Sequence, residues 1–194
     1  GGTTHRVVAD RIEAGTFAIA AGITGGRLTL KQARPRHLDA LIDALRLSGI
    51  DVSEAGDNLT VTATDRVLAT DISTDPFPGF PTDLQAQFMA MMCVADGSSR
   101  ISETIFENRF MHVPELVRMG ADISVDGGVA FVRGRRHLTP APVMATDLRA
   151  SVSLVLAALA TEGQSEVSRI YHLGRGYSNL EDKLAVFKTL IHAD

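Results

Sequence analysis

Five charged residues stand where a site could be built: Asp83, Arg109, Asp147, Arg149 and Arg175. Pro81-Thr82-Asp83-Leu84-Gln85 places Asp83 in a first helical turn, where unpaired N–H groups and the helix dipole favour an ionised carboxylate. That placement suits a plain helix stabiliser as well as a reacting group. Arg149, in Thr146-Asp147-Leu148-Arg149-Ala150, opposes the same dipole. Either it pairs locally with Asp147, or it faces Asp83 or a bound anion. Arg109 and Arg175 lie in loops ahead of helices, and Gly174 and Gly176 leave Arg175 free to reach out. A guanidinium fork grips phosphate or carboxylate through paired N–H donors, so anion binding is the chemistry these residues suit. His112 and His172 invite a metal reading, but no Cys/His cluster has ligand spacing, so no metal is expected. Gly174-Arg175-Gly176 lacks the lysine and preceding strand of a phosphate loop, and no nucleophile elbow is visible.

The elements that must hold these residues come in a repeating order. Phe77-Pro78-Gly79-Phe80-Pro81 reads as a rigid loop, and Thr82 with Gln85 has capping-box spacing. Leu84, Phe88, Met91, Met92 and Ala95 then make a core-facing stripe that ends at Asp96-Gly97. Asp10 with Glu13 opens an earlier helix, apolar nearly all round, that stops at Gly25-Gly26. Asp147 opens a third, with Leu148, Val152, Val155, Leu156 and Leu159 buried and Gly163 at its end. A strand follows each: 27–30, 99–102 and 166–170. Outer helices come next, carrying Leu38, Leu41, Ile42 and Leu45, then Val113, Leu116 and Val117. Strand pairs close the first two units, with turns at 54–58 and at Asp126-Gly127-Gly128. Gly26 to Gly49 and Gly97 to Gly120 are equally separated, which argues for copies of one unit. In the third, Ser178 and Glu181 form a capping box for a helix with Leu180, Leu184, Phe187 and Ile191, and no strand pair follows. The expected fold class is α/β (α+β): one domain over 1–194, with pseudo-repeats at about 10–70, 81–140 and 147–194, the last incomplete. Three small sheets surround central, buried helices. Arg133-Gly134-Arg135-Arg136-His137 reads as a solvated basic turn.

Composition narrows the partners. The chain has 194 residues, 45% of them hydrophobic, which suffices for a substantial core. A formal charge of −4 argues against binding driven by nucleic-acid phosphates. Cys93 is the single cysteine and falls in an apolar helix, so it reads as a packing residue, and nothing demands an oxidising compartment. No stretch is apolar for long enough to span a bilayer, and no signal peptide is visible, so a cytoplasmic location is expected.

Five stretches resemble one family over nearly the whole chain: Asp10-Arg11-Ile12-Glu13-Ala14-Gly15-Thr16, Phe80-Pro81-Thr82-Asp83-Leu84-Gln85-Ala86-Gln87-Phe88, and residues 103–115, 144–151 and 169–177. They are similar to the UDP-N-acetylglucosamine 1-carboxyvinyltransferase family of enolpyruvyl transferases, and correspond to the C-terminal half of its members. The resemblance implies an inside-out α/β barrel of repeated units. It implies transfer of the enolpyruvyl group of phosphoenolpyruvate to the 3′-hydroxyl of UDP-N-acetylglucosamine, releasing phosphate at the start of peptidoglycan synthesis, with no cofactor. Asp83 would take the proton of the attacking hydroxyl and hold the sugar. Ile105 would line the nucleotide-sugar pocket. Arg109 and Arg175 would hold the phosphate and carboxylate of phosphoenolpyruvate, with Asp147 and Arg149 supporting the chemistry. The family's reactive cysteine lies in its other half, and Cys93 is not it. Gly174 stands where an aspartate is common. The family also completes this domain with a strand from its N-terminus, which accounts for the unfinished third unit.

By this resemblance the chain supplies one wall of an active site, with an N-terminal domain as its partner, and by itself does not turn over. Two other readings stand beside it: a non-catalytic substrate-binding or assembly module, and the related shikimate-pathway transferase. The motifs at 10–16 and 106–115 look like the sugar-nucleotide enzyme.

Overall fold

The computed structural model describes residues 1–185, the side chain of His172 excepted, so the expected core positions Phe187 and Ile191 lie outside the described residues. Three helices make the centre. α1 (Arg11–Ile23) is capped by Asp10, whose carboxylate accepts from the backbone N–H of Ile12 at 2.8 Å and of Glu13 at 3.2 Å. Only half of the expected box forms there, because Glu13 pairs with Lys183. α5 (Leu148–Leu159) starts in the same way: Asp147 accepts from the N–H groups of Arg149 at 2.8 Å and Ala150 at 2.9 Å. A carboxylate at this position satisfies donors that have no partner inside the helix.

α3 (Gln85–Met92) starts differently, and the capping box expected at Thr82 does not form. Thr82–Leu84 make a 3-10 turn after Pro81 with no side-chain cap. The Thr82 hydroxyl donates instead to Glu103 Oε2 at 2.9 Å. Neither polar atom of the buried Gln85 side chain has a partner among the described residues. α3 also stops at Met92, short of Asp96-Gly97. There the N–H groups of Val94 and Ala95 turn to Met91 and Met92, in the tight bonding that ends a helix.

Every residue of α3 is buried, as are Gly15 to Ile23 of α1 and Ala150 to Ala157 of α5. Helices apolar on all sides need neighbours on all sides. α3 packs against both of the others, and Gly15 lets α1 approach closely: a Cβ there would stand 2.4 Å from Leu84 Cδ1. Thr16, Gln85, Gln87, Ser151 and Ser153 are the buried polar residues of these helices.

Three small sheets lie around the helices. The first has the antiparallel order β1 (Arg27–Leu30), β3 (Asn58–Thr62), β2 (Asp51–Ala55), with Leu28 and Val52 both opposite Val61. The second runs β4 (Ile72–Ser73), β5 (Ser98–Ser102), β7 (Val129–Arg133), β6 (Asp122–Asp126), and pairs Ile101 with Ala130 and Ile123 with Val132. Alternate residues of β3, β5 and β7 are buried, so each strand turns one face to the core. In the third sheet β8 (Pro142–Met144) runs parallel to β9 (Glu166–Ser168). β4 and β8 have no counterpart in the sequence reading, and β9 stops two residues short of the expected strand.

The outer helices are amphipathic. α2 (Asp39–Leu47) buries Leu41, Ile42, Ala44 and Leu45. α4 (Val113–Arg118) buries Val113 and Leu116 but leaves Val117 exposed, contrary to the expected stripe. α6 (Leu180–Leu184) is not capped by Ser178: Asn179 takes the N-cap position in the left-handed region at φ 50° and makes no side-chain cap bond. Ser178 accepts instead from Lys183.

Candidate active site

Asp83 is the hub of the charged residues. Its two carboxylate oxygens take different arginines: Arg109 Nη2 donates to Oδ1 at 2.7 Å, and Arg149 Nη2 donates to Oδ2 at 3.3 Å. The arginine in the first turn of α5 thus reaches across to the start of α3. Among the described residues, Asp147 meets Arg149 through its backbone N–H and not through its guanidinium. Two guanidinium groups against one carboxylate leave a net positive charge, and each arginine keeps N–H donors beyond the one spent on Asp83. Asp83, with two oxygens and about four lone-pair sites, keeps acceptor capacity as well. The trio lies on an open face, with side chains of Arg109, Asp83 and Arg149 26, 38 and 18% exposed. Such a cluster can hold an anion beside a proton acceptor.

Each member is positioned from beneath. The Asp83 carbonyl accepts from Gln87 Nε2 at 2.8 Å. Gln87 Nε2 also reaches Thr16 Oγ1 at 3.2 Å and Tyr177 Oη at 3.4 Å. The Tyr177 and Thr16 hydroxyls meet at 2.9 Å, and Arg149 stands over the Tyr177 ring with its Cζ 5.8 Å from the centroid. Arg109 stacks similarly on Phe106, at 5.3 Å.

The loop that bears Ile105 and Arg109 is held by Glu103. This buried carboxylate accepts from Thr74 and Thr82 hydroxyls, both at 2.9 Å, and from the N–H groups of Ile105 at 3.0 Å and Phe106 at 3.2 Å. Four neutral donors surround this carboxylate, and among the described residues it makes no ion pair. Thr104 adds a second tie, its N–H bonding the Thr74 hydroxyl at 2.9 Å and its own hydroxyl bonding the Thr74 carbonyl. Ile105 itself is half-buried.

Among the described residues Arg175 does not join the ion pairs. It ends the 3-10 turn Ile170–Arg175 and is exposed, two residues before the buried Tyr177. Among the described residues no group of His, Cys, Asp and Glu is arranged to hold a metal. Cys93 is wholly buried, and burial pushes its thiol up to about 12. Glu103, Gln87, Thr16 and Tyr177 were absent from the sequence-derived site, although Thr16, Gln87 and Tyr177 occur in the quoted motifs and Glu103 opens one. A polar side chain on an otherwise apolar helix stripe, as at Thr16 and Gln87, is the signal that marks two of them.

His112 lies deeper. It is 1% exposed, and its Nε2 has no hydrogen-bond partner among the described residues. Burial lowers its imidazole to about 4, Asp147 opposes that shift, and Arg109 adds to it. The unfolded chain takes up this proton below about pH 6.5 and the folded chain does not until about pH 4. The unfolded state therefore binds more protons in that window, and stability falls with falling pH across it. At pH 5 the expected loss is roughly 2 kcal/mol relative to pH 7.5. Urea unfolding at the two pH values checks this, with His112→Asn expected to flatten the pH dependence by about that amount; an unchanged dependence would refute it.

The fold is a helix-centred α/β domain, and its charged cluster is a carboxylate clamped between two arginines. The chain belongs to the EPSP synthase (3-phosphoshikimate 1-carboxyvinyltransferase) family, which matches residues 1–184. A relative from Gluconacetobacter diazotrophicus, named UDP-N-acetylglucosamine 1-carboxyvinyltransferase, is 59% identical over 184 residues, or 95% of this chain and 44% of its own length. One of the same name from Caulobacter vibrioides is 60% identical, over 94% of this chain and 43% of its own length. The fold superposes on the crystal structure of the enolpyruvyl transferase NikO from Streptomyces tendae with a TM-score of 0.83 at 29% identity, over 93% of this chain and 43% of that one. The chain thus spans under half the length of the relatives it matches.

Proposed function

We propose that this chain forms one wall of the active site of a UDP-N-acetylglucosamine 1-carboxyvinyltransferase. The enzyme transfers the enolpyruvyl group of phosphoenolpyruvate to the 3′-hydroxyl of the nucleotide sugar and releases phosphate, an early step toward peptidoglycan. The observation that carries the reading is the bridged carboxylate: Asp83 bound by Arg109 on one oxygen and by Arg149 on the other. The names of the relatives at 59 and 60% identity support the sugar nucleotide over shikimate phosphate as acceptor.

Asp83 accepts the proton of the attacking hydroxyl and fixes the sugar. The oxygen then bonds to the central carbon of phosphoenolpyruvate while the methylene carbon takes up a proton from an acid on the second wall, giving a tetrahedral intermediate. Loss of a proton from that methyl carbon and cleavage of the bond to the phosphate oxygen restore the double bond and release phosphate. Arg109 and Arg149 supply donors for the intermediate's phosphate and carboxylate, preorganised because Asp83 holds them before substrate arrives, and Arg175 adds further donors. Arg175, exposed on its loop, is free to close on the substrate. Asp147 sets the start of α5, from which Arg149 projects, and Ile105 lines the nucleotide-sugar side. The domain is read as an inside-out barrel of three related units over about 10–70, 81–140 and 147–194, the last incomplete. The second wall belongs to an N-terminal domain, and the cytoplasm is the expected location. Among the described residues no helix is long and apolar enough to cross a membrane.

The test is a chimera in which this chain replaces the matching 44% of the Gluconacetobacter diazotrophicus relative. The chimera is expected to release phosphate from phosphoenolpyruvate only when UDP-N-acetylglucosamine is present, and the chain alone to release none. A folded chimera with no turnover would overturn the reading. Turnover by the isolated chain would overturn the need for a second wall.

A further inference from the structure

We infer that Tyr177 is a positioning residue, whose hydroxyl sets the orientation of Arg149 and anchors the loop bearing Arg175 to the same point. The phenol is buried at 2% exposure among Phe17, Val152, Val155, Leu173 and Leu184. A ring in such surroundings packs equally well as phenylalanine, so the hydroxyl needs a reason of its own. Its surroundings supply one. Arg149 Nη1 lies 3.4 Å from Oη, Gln87 Nε2 lies 3.4 Å from it, and Thr16 Oγ1 lies 2.9 Å from it. Arg149 and Gln87 have only protons to offer at those atoms. The phenol oxygen therefore accepts from Arg149 and shares the second Gln87 Nε2 proton with Thr16 Oγ1, 3.2 Å from that nitrogen, while its own proton is left for Thr16. The amide orientation of Gln87 follows, since Nε2 must also serve the Asp83 carbonyl at 2.8 Å.

One oxygen therefore ties together α1 through Thr16, α3 through Gln87 and the first turn of α5 through Arg149. The guanidinium of Arg149 spends one nitrogen on Tyr177 and another on Asp83. It is held at two of its three nitrogens before any substrate arrives. The chain leading back to Arg175 lies flat on α5, since a Cβ at Gly176 would come within 2.9 Å of Leu148 Cδ2. Tyr177 is thus the fixed end of the Arg175 loop as well as the support of Arg149. Without the hydroxyl, Arg149 keeps the ring face and Asp83 at Nη2 but loses the second contact, at Nη1, that restrains its rotation.

Two measurements test this. The first needs only this chain and is independent of the proposed reaction. In nitrogen-15 spectra, the Arg149 guanidinium, assigned with Arg149→Lys, is expected to give resolved, slowly rotating N–H signals. Tyr177→Phe should average them, with rotation several-fold faster. Signals unchanged by that substitution would overturn the inference. The second rests on the proposed transfer reaction and uses the chimera. Tyr177→Phe should lower kcat about 10-fold, the loss expected for one hydrogen bond to a charged group, with the KM for the nucleotide sugar within about 2-fold. In an Arg149→Lys background the same change should cost under about 2-fold, because the residue acts through Arg149. A full loss repeated in that background, or near-parental kcat in the single variant, would overturn the positioning role. If Tyr177→Phe does not fold, Thr16→Val removes the acceptor of the same hydroxyl and is read in the same two ways. An inactive parent chimera would count against the proposed function, while the spectra would still decide the role of Tyr177.

Discussion

Asp83→Asn in the chimera is expected to lower kcat about 10²–10⁴-fold, the range typical for removing a general base. The substitution keeps the size of the side chain and one oxygen. Asn also serves well at helix starts, and Asp83 caps no helix here, so folding should change little. Two arginines lose their shared anion, but the site is open and water can take up their N–H groups. A helix stabiliser would show the opposite pattern, with a loss of under about 1 kcal/mol and normal turnover. Measuring kcat and Tm on one preparation separates these outcomes. Near-parental kcat with a lowered Tm would remove Asp83 from the chemistry.

Gly134→Ala is expected to destabilise the fold by about 3 kcal/mol or more, with the site residues untouched. A Cβ at Gly134 would stand 1.8 Å from the carbonyl oxygen of Ala95 and 2.7 Å from its carbon. Both obstacles are backbone, so no side-chain rotation relieves them. The segment has no room to retreat, because Gly134 N–H bonds the Gly97 carbonyl at 2.9 Å and Arg135 N–H bonds the Cys93 carbonyl at 2.8 Å. This turn ties the end of β7 to the end of α3. Urea unfolding of the two chains gives the difference directly. A change below about 1 kcal/mol would mean that the two backbones part easily.

That glycine also shows where sequence reasoning runs out. Amid three arginines it reads as a solvated turn, and Arg135 does pair with Asp122 at the surface. The contact that matters is with Ala95, distant in sequence, and no local pattern announces it. The same difference separates the helix starts. Asp10 and Asp147 are recognisable because a cap serves donors two and three residues ahead. Thr82 has the right spacing too, but its hydroxyl is claimed by Glu103, 21 residues on. Local spacing identifies a possible bond and cannot rank it against a competitor brought in by the fold. The buried helices were recognisable from their unbroken apolar character, whereas β4 and β8, two and three residues long, are too short to show a period. For the site, Asp83, Arg109 and Arg149 were singled out from the motifs, and the contacts place them together. The supports beneath them come from four separate segments, and only the fold assembles them.

The contrast between Asp83 and Glu103 has a consequence for how the protein responds to salt. Asp83 is held by full charges on an open face, where mobile ions can screen the attraction. Glu103 is held by neutral hydroxyls and backbone amides at 7% exposure, where screening by mobile ions is much weaker. Rising ionic strength therefore loosens the clamp on Asp83, yet disturbs far less the frame that carries Ile105 and Arg109. Two carboxylates 20 residues apart in the chain divide the work: one sets an adjustable field, the other a rigid scaffold, and salt acts chiefly on the first.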